Sequence, residues 1–168
     1  MKAIVRLTQR LAAEIRADLE RPHPFAAERI GFLFGRWAFA AGHMMVYPIS
    51  YLPVADDNYI EAPFVGATIN SAAIRAALQA TLDDKAACLH VHLHPSQLPR
   101  FSDLDLREQD RLIPSFCATN REAPHGALML WGDAGGAARL WPPRGGPPLM
   151  AGRVAFVGYP TVLAGVGQ

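Results

Sequence analysis

His90, His92 and His94 alternate with Leu89, Val91 and Leu93 in the stretch from Ala86 to His94. Successive side chains of a strand point to opposite faces, so this period of two puts all three imidazoles on one face. Two histidines one residue apart then present two nitrogens to the same point, which suits the first two ligands of a tetrahedral zinc ion. A third donor must come from elsewhere. Ten residues separate His94 from Asp105, which falls one turn into a helix that the pattern starts near Ser102. A strand, a loop and a returning helix can bring that carboxylate beside the imidazoles. Zinc with three protein ligands keeps a position for water and lowers its pKa to roughly 7, so the spacing points to hydrolytic metal chemistry.

The fuller pattern, His92-x-His94-Pro95, a loop and Ser102-x-x-Asp105, resembles the metal-binding signature of the JAMM (JAB/MPN-plus) zinc metallopeptidases, in particular their prokaryotic branch. Upstream, Glu28-Arg29-Ile30-Gly31-Phe32-Leu33-Phe34-Gly35 is similar to that family's E-x-x-G-x-L-x-G segment. The resemblance implies one Zn2+ ion on His92, His94 and Asp105. It implies Glu28 as the general base that takes a proton from water and returns it to the leaving amine, and Ser102 as a hydroxyl that, with the metal, stabilises the developing oxyanion.

Each role has a competitor. His90-x-His92 and Asp103 repeat the same spacing, but the places of Pro95 and Ser102 are then held by Leu93 and Arg100, which leaves His90 as a residue behind the ligands or an alternative ligand. Ser102 followed by an acid three residues later is also a helix-capping pattern. Glu61 is a second candidate base without the glycine frame that follows Glu28. His23, His43 and His125 read as ordinary surface or partly buried residues.

The implied substrate is a ubiquitin-like β-grasp protein or its conjugate, cut after a C-terminal glycine, with activating-enzyme-like and conjugating-enzyme-like proteins as further partners. Its extended tail would lie along a strand edge near the site, against the paired glycines. Processing of a sulfur-carrier protein, or a non-catalytic MPN scaffold role within an assembly, are the alternatives.

Several elements must position these residues. Ala3 to Leu7 is a short apolar opening, and Leu11, Ile15 and Leu19 carry a helical period that stops before Pro22. Arg29 to Ala40 and His43 to Val54 read as paired antiparallel strands, with Pro48 and Pro53 placing the second at an edge or the prolines close to its end. Phe64 to Ile69 is a strand candidate, and Ser71 can cap a helix with Ile74, Ala77 and Leu78 on its apolar face. Ser102 to Ile113 is helical and is ended by Pro114. Gly126 to Trp131 and Ala137 to Trp141 read as a hairpin or meander. The resemblance implies an α/β (α+β) fold of the MPN/JAB type: a mixed, largely antiparallel sheet flanked by helices, cytidine-deaminase-like. That domain spans 1–141. A Pro/Gly-rich linker and a C-terminal segment, 142–168, follow, with Val154, Phe156, Val157 and Tyr159 docking on the domain or a partner.

Composition narrows the classes. The 168 residues carry a formal charge of +1, without the basic field that neutralising several phosphates requires, which excludes nucleic acid as the expected partner. No apolar run approaches membrane-spanning length. Glu14, Arg16, Asp18 and Glu20 interrupt what would be a signal-peptide core. Cys88 and Cys117 sit among apolar neighbours and read as small buried hydrophobes of a reduced, cytoplasmic protein.

Overall fold

A computed structural model describes residues 1–61, 66–94, 100–158 and 162–163. Among them the chain runs β1 (Lys2–Thr8), α1 (Gln9–Leu19), β2 (Ile30–Ala40), β3 (His43–Pro53), a 3-10 turn (Asp56–Asn58), β4 (Tyr59–Ile60), β5 (Thr68–Ile69), α2 (Ser71–Asp83), β6 (Ala87–Leu93), α3 (Asp103–Thr119), β7 (His125–Trp131), β8 (Gly135–Trp141), β9 (Leu149–Val157) and β10 (Val162–Leu163). Pro95, Phe64, Val65 and Tyr159, each part of an expectation above, lie outside the described residues.

The principal sheet has the order β1-β3-β2-β6-β7-β8-β9-β10, and β9 pairs again with β1. Seven strands therefore close into a barrel. The pairs β1–β3, β6–β7 and β9–β1 are parallel and the other four are antiparallel. This corrects the expected MPN/JAB-type, cytidine-deaminase-like sheet flanked by helices. The physical cause is β9. Its residues pair with β1 from Ala3↔Ala151 to Thr8↔Val157, where an open sheet would leave two exposed edges.

The interior confirms the closure. All seven strands send buried side chains to one cluster, among them Val5, Leu33, Val46, Leu89, Leu128, Leu140 and Val154. Leu11, Ile15 and Leu19 of α1 join the same cluster. The period-of-two pattern then sends the alternate residues of β2 and β6 outward. Phe32, Phe34 and Cys88 pack there with Ala73 and Ala77 of α2 and Phe116 of α3. The site lies on this outer face.

Local chemistry sets the helix ends. Thr8 caps α1 and accepts a hydrogen bond from the Leu11 N–H at 3.1 Å. Asn70, not Ser71, caps α2, accepting from the Ala72 and Ala73 N–H groups. Pro114 does not end α3, which continues to Thr119 because Ile113 and Phe116 on either side of it are buried against the sheet. That burial outweighs the one helical hydrogen bond a proline removes. Pro48 sits at a bulge opposite Gly35, and Pro53 is the last residue of β3.

The glycines of the upstream motif also have a structural explanation. A Cβ on Gly31 would stand 2.4 Å from the Tyr51 ring, and one on Gly35 would stand 2.1 Å from the Tyr47 carbonyl oxygen. β2 is paired along one edge by β3 and along the other by β6. β2 therefore has no free edge beside its glycines, so a tail docked along a strand edge near the site would have to pair with another strand.

Candidate functional site

The crossover from β6 through α3 to β7 makes the site. In such a unit the chain leaves the carboxyl end of one strand and enters a helix whose N-terminus lies nearby, so residues at those two ends meet. His92 is near the end of β6 and Asp105 is in the first turn of α3. His92 Nε2 and Asp105 Oδ1 stand 3.6 Å apart.

Each oxygen of Asp105 has its own task. Oδ2 accepts from the Ser102 N–H and from the Ser102 hydroxyl, both at 2.7 Å, while the Asp105 N–H donates back to Ser102 Oγ at 3.1 Å. This is a complete capping box, and it holds the carboxylate so that Oδ1 is left to face His92. Ser102 thus performs the capping role weighed against its catalytic one, and the hydroxyl is engaged with Asp105.

Glu28 enters from the segment before β2. Arg29, buried beside it, anchors that segment: its guanidinium bonds Asp56 at 2.8 Å and donates to the carbonyls of Arg21 and Pro22. The Ala27 N–H donates to the Gly66 carbonyl at 3.0 Å. Gly66 has φ +53, and a Cβ there would stand 3.3 Å from Glu28 Oε1. Glycine at this position meets both needs, the left-handed backbone and the close approach to the carboxylate.

Glu28, His90, His92, Asp105, Gly66 and Gln109 line one cleft of about 450 Å³ between the sheet and α3. Burial, helped by the charge of Asp105, pushes the Glu28 carboxyl up to about 7. Burial pulls the His92 imidazole down to about 4, against the opposing pull of Asp105, and pulls His90 down to about 3 with His92 adding to the effect. Both rings are neutral at pH 7, the form in which imidazole binds metal. Glu28 is poised to gain or lose a proton at that pH.

His94 follows β6, with its N–H donating to the Leu130 carbonyl at 2.7 Å. Its ring centroid is 6.4 Å from that of His92, and the His90 ring is 5.7 Å from His92 on the other side. Asp103, the acid of the alternative register, is not part of the cleft lining, and neither is Glu61. The structure thus brings Glu28, His90, His92 and Asp105 together, with His94 beside them. Among the described residues, no three His, Cys, Asp or Glu side chains stand arranged to enclose an ion.

The donors nevertheless suit zinc. His92 is 2% exposed, and its Nε2 has no hydrogen-bond partner among the described residues. Two ligand atoms about 2.1 Å from a tetrahedral ion are roughly 3.4 Å apart, close to the spacing of His92 Nε2 and Asp105 Oδ1. His92 and Asp105 stand at the spacing that two ligands of one ion would have, and His90 lines the same cleft, whereas His94 is not part of its lining.

Two residues were missed or misjudged from sequence. Gln109, between Glu108 and Asp110, carries no expectation from the sequence, yet it is 2% exposed and lines the cleft. Only its spacing of four from Asp105, one helical turn on the same face, signalled its place. His125 was taken as an ordinary surface or partly buried residue. It is fully buried, with Nδ1 accepting from the Cys88 N–H at 3.1 Å and Nε2 bonded to the Asn120 carbonyl at 2.9 Å.

No protein-family model matches the chain, and no curated protein matches its sequence. No described helix is long and apolar enough to cross a membrane.

Proposed function

We propose that the chain is a zinc-dependent peptidase of JAMM-type chemistry that hydrolyses the bond after the C-terminal glycine of a ubiquitin-like protein, deconjugating or maturing it. The observation that carries the reading is the buried His92 Nε2, without a hydrogen-bond partner among the described residues and set 3.6 Å from Asp105 Oδ1, with Glu28 across the same cleft. The reading rests on the site and on its sequence signature, and the barrel that carries them is a separate matter.

His92, His94 and Asp105 would hold the ion, with His90 behind them. Bound zinc would supply a Lewis acid that polarises the scissile carbonyl and makes water nucleophilic at neutral pH. Glu28 takes the proton of the attacking water and delivers it to the departing amine, a double task that suits a carboxyl whose pKa burial raises. Ser102 fixes Asp105 through the capping box in the resting site, and its hydroxyl would have to leave Asp105 Oδ2 to donate to the oxyanion during attack. Arg29 and Gly66 keep Glu28 in place.

The test uses a Gly-terminated β-grasp protein fused through that glycine to a reporter. Freshly purified protein is expected to carry one zinc per chain and to release the reporter. Release should stop with Glu28→Ala and with a chelator, and return when zinc is restored to the chelated wild type. Cleavage that survives both treatments, or a protein that takes up no zinc, would overturn the reading.

A further inference from the structure

Gln109 of α3 is the least explained polar side chain of the cleft. It is 2% exposed, and neither its Nε2 nor its Oε1 has a hydrogen-bond partner among the described residues. Buried amides are almost always paired, because removing them from water without a partner is costly. An apolar residue of the same size would fill the position without that cost, as Ile113 does one turn further along the helix. The unpaired amide, whose two polar atoms are closed to solvent in the resting cleft, therefore points to a ligand that the side chain turns into the cleft to meet.

The chemistry of the group specifies the ligand. A primary amide offers one carbonyl acceptor and N–H donors side by side, the complement of a peptide group. It carries no charge, so it does not select an ionic side chain. Its position specifies the distance. Gln109 lies four residues beyond Asp105, about 6 Å along the helix. An extended peptide advances about 3.4 Å per residue, so for a segment lying parallel to α3 with its scissile bond beside Asp105 this step corresponds to roughly two residues of substrate.

We propose that Gln109 is a specificity-determining residue that hydrogen-bonds a main-chain peptide group of the substrate about two residues from the scissile bond. The proposal rests on the reading of the cleft as a peptidase site and deepens it: the substrate is an extended polypeptide segment read through its backbone, and small amides lacking that second peptide group are poor substrates.

The experiment pairs Gln109→Met and Gln109→Glu with a set of probes. The parent probe is the coumarin amide of N-acetyl-Ala-Ala-Gly-Gly, and its counterparts carry an ester in place of one backbone amide at each position in turn. For the zinc-loaded wild type, one ester position is expected to lower kcat/KM about 10- to 100-fold, a cost on the scale of a lost buried hydrogen bond. Gln109→Met should lose a similar factor on the parent probe and show no further loss on that ester. Because it removes two orphaned atoms, Gln109→Met should also raise the melting temperature, where an amide needed for folding would lower it. Gln109→Glu should lose activity on every probe.

A second readout needs no catalysis: anisotropy of fluorescein-labelled N-acetyl-Ala-Ala-Gly-Gly with metal-free protein, where wild type should bind the amide more tightly than the ester form and Gln109→Met should not discriminate. If wild type hydrolyses nothing but shows this discrimination, the peptidase reading fails and the role of Gln109 stands. If the metal-free wild type binds no peptide, or if wild type and Gln109→Met respond equally to every ester, the role of Gln109 is overturned.

Discussion

The crossover from β6 through α3 to β7 buries one histidine near each end of its helix, and the two are treated in opposite ways. His125 begins β7, beneath the C-terminus of α3. Both of its ring nitrogens are engaged, one by the Cys88 N–H and the other by the Asn120 carbonyl. His92, at the N-terminal end of α3, is almost as buried, yet its Nε2 has no hydrogen-bond partner among the described residues. Four buried side-chain polar atoms lack a partner among the described residues, and three of them, on His92 and Gln109, belong to the cleft. Polar groups that serve the fold are paired within it, whereas groups left unpaired at a cost in stability are those a ligand would complete.

The largest expected effect separates the two histidines. His92→Ala should abolish zinc binding and reduce hydrolysis to background while leaving the fold stable, since it deletes a group that the fold leaves unpaired. His125→Leu should do the reverse. Leaving the Cys88 N–H and Asn120 carbonyl unpaired in the interior costs about 2–5 kcal/mol, while zinc stoichiometry stays at that of wild type. Metal analysis and denaturant unfolding of both variants check the contrast. Loss of zinc in both, or instability in both, would break it.

Ser102 belongs to both categories, and one substitution apportions them. Ser102→Ala removes the cap of α3 and should lower stability by about 1 kcal/mol. If its hydroxyl also serves the oxyanion, kcat should fall about 100- to 1000-fold with little change in KM. A loss of stability with kcat preserved would assign Ser102 to the helix alone.

The local part of this architecture was legible in the sequence. The alternation of His90, His92 and His94 with apolar residues fixed β6 and the face its imidazoles share, and Ser102-x-x-Asp105 fixed the start of α3. The strands β2 and β3 began and ended within a residue of expectation because Ala41-Gly42 separates two dense apolar runs. Closure of the barrel was not legible. Val154, Phe156 and Val157 announce an apolar segment, but a periodic pattern does not name its partner, and β1 lies at the opposite end of the chain. Pro114 misled because propensity argued for a stop, whereas burial of Ile113 and Phe116 decided the outcome. Gln109 and His125 were obscured for a common reason: the burial of a polar residue depends on what packs over it, and here that is a strand or helix distant in sequence.

The smallest expected effect sharpens the comparison through pH. Burial lowers the pKa of His125 from its ordinary 6.5, and the Asn120 carbonyl opposes this only in part. The Cys88 N–H requires an unprotonated Nδ1, so the proton of the neutral ring is assigned to Nε2, which donates to Asn120. No charged side chain contributes to the shift; desolvation and the Asn120 hydrogen bond are its causes. The unfolded chain takes up the proton first as pH falls. The stabilisation is therefore complete above pH 6.5 and declines below it, toward the lower pKa of the folded state, by at most about 1.4 kcal/mol per pH unit for one proton. His90 and His92 shift in the same direction and add to the slope. Glu28, raised to about 7 by burial, takes up its proton first in the folded chain and opposes this slope by up to one proton's worth. With three histidines against one carboxyl, unfolding free energies of the metal-free protein should fall with acid between about pH 6.5 and about 5, and His125→Leu should be shallower by one proton's worth. If that variant keeps the full wild-type slope, His125 is not held neutral by the fold and its contrast with His92 collapses.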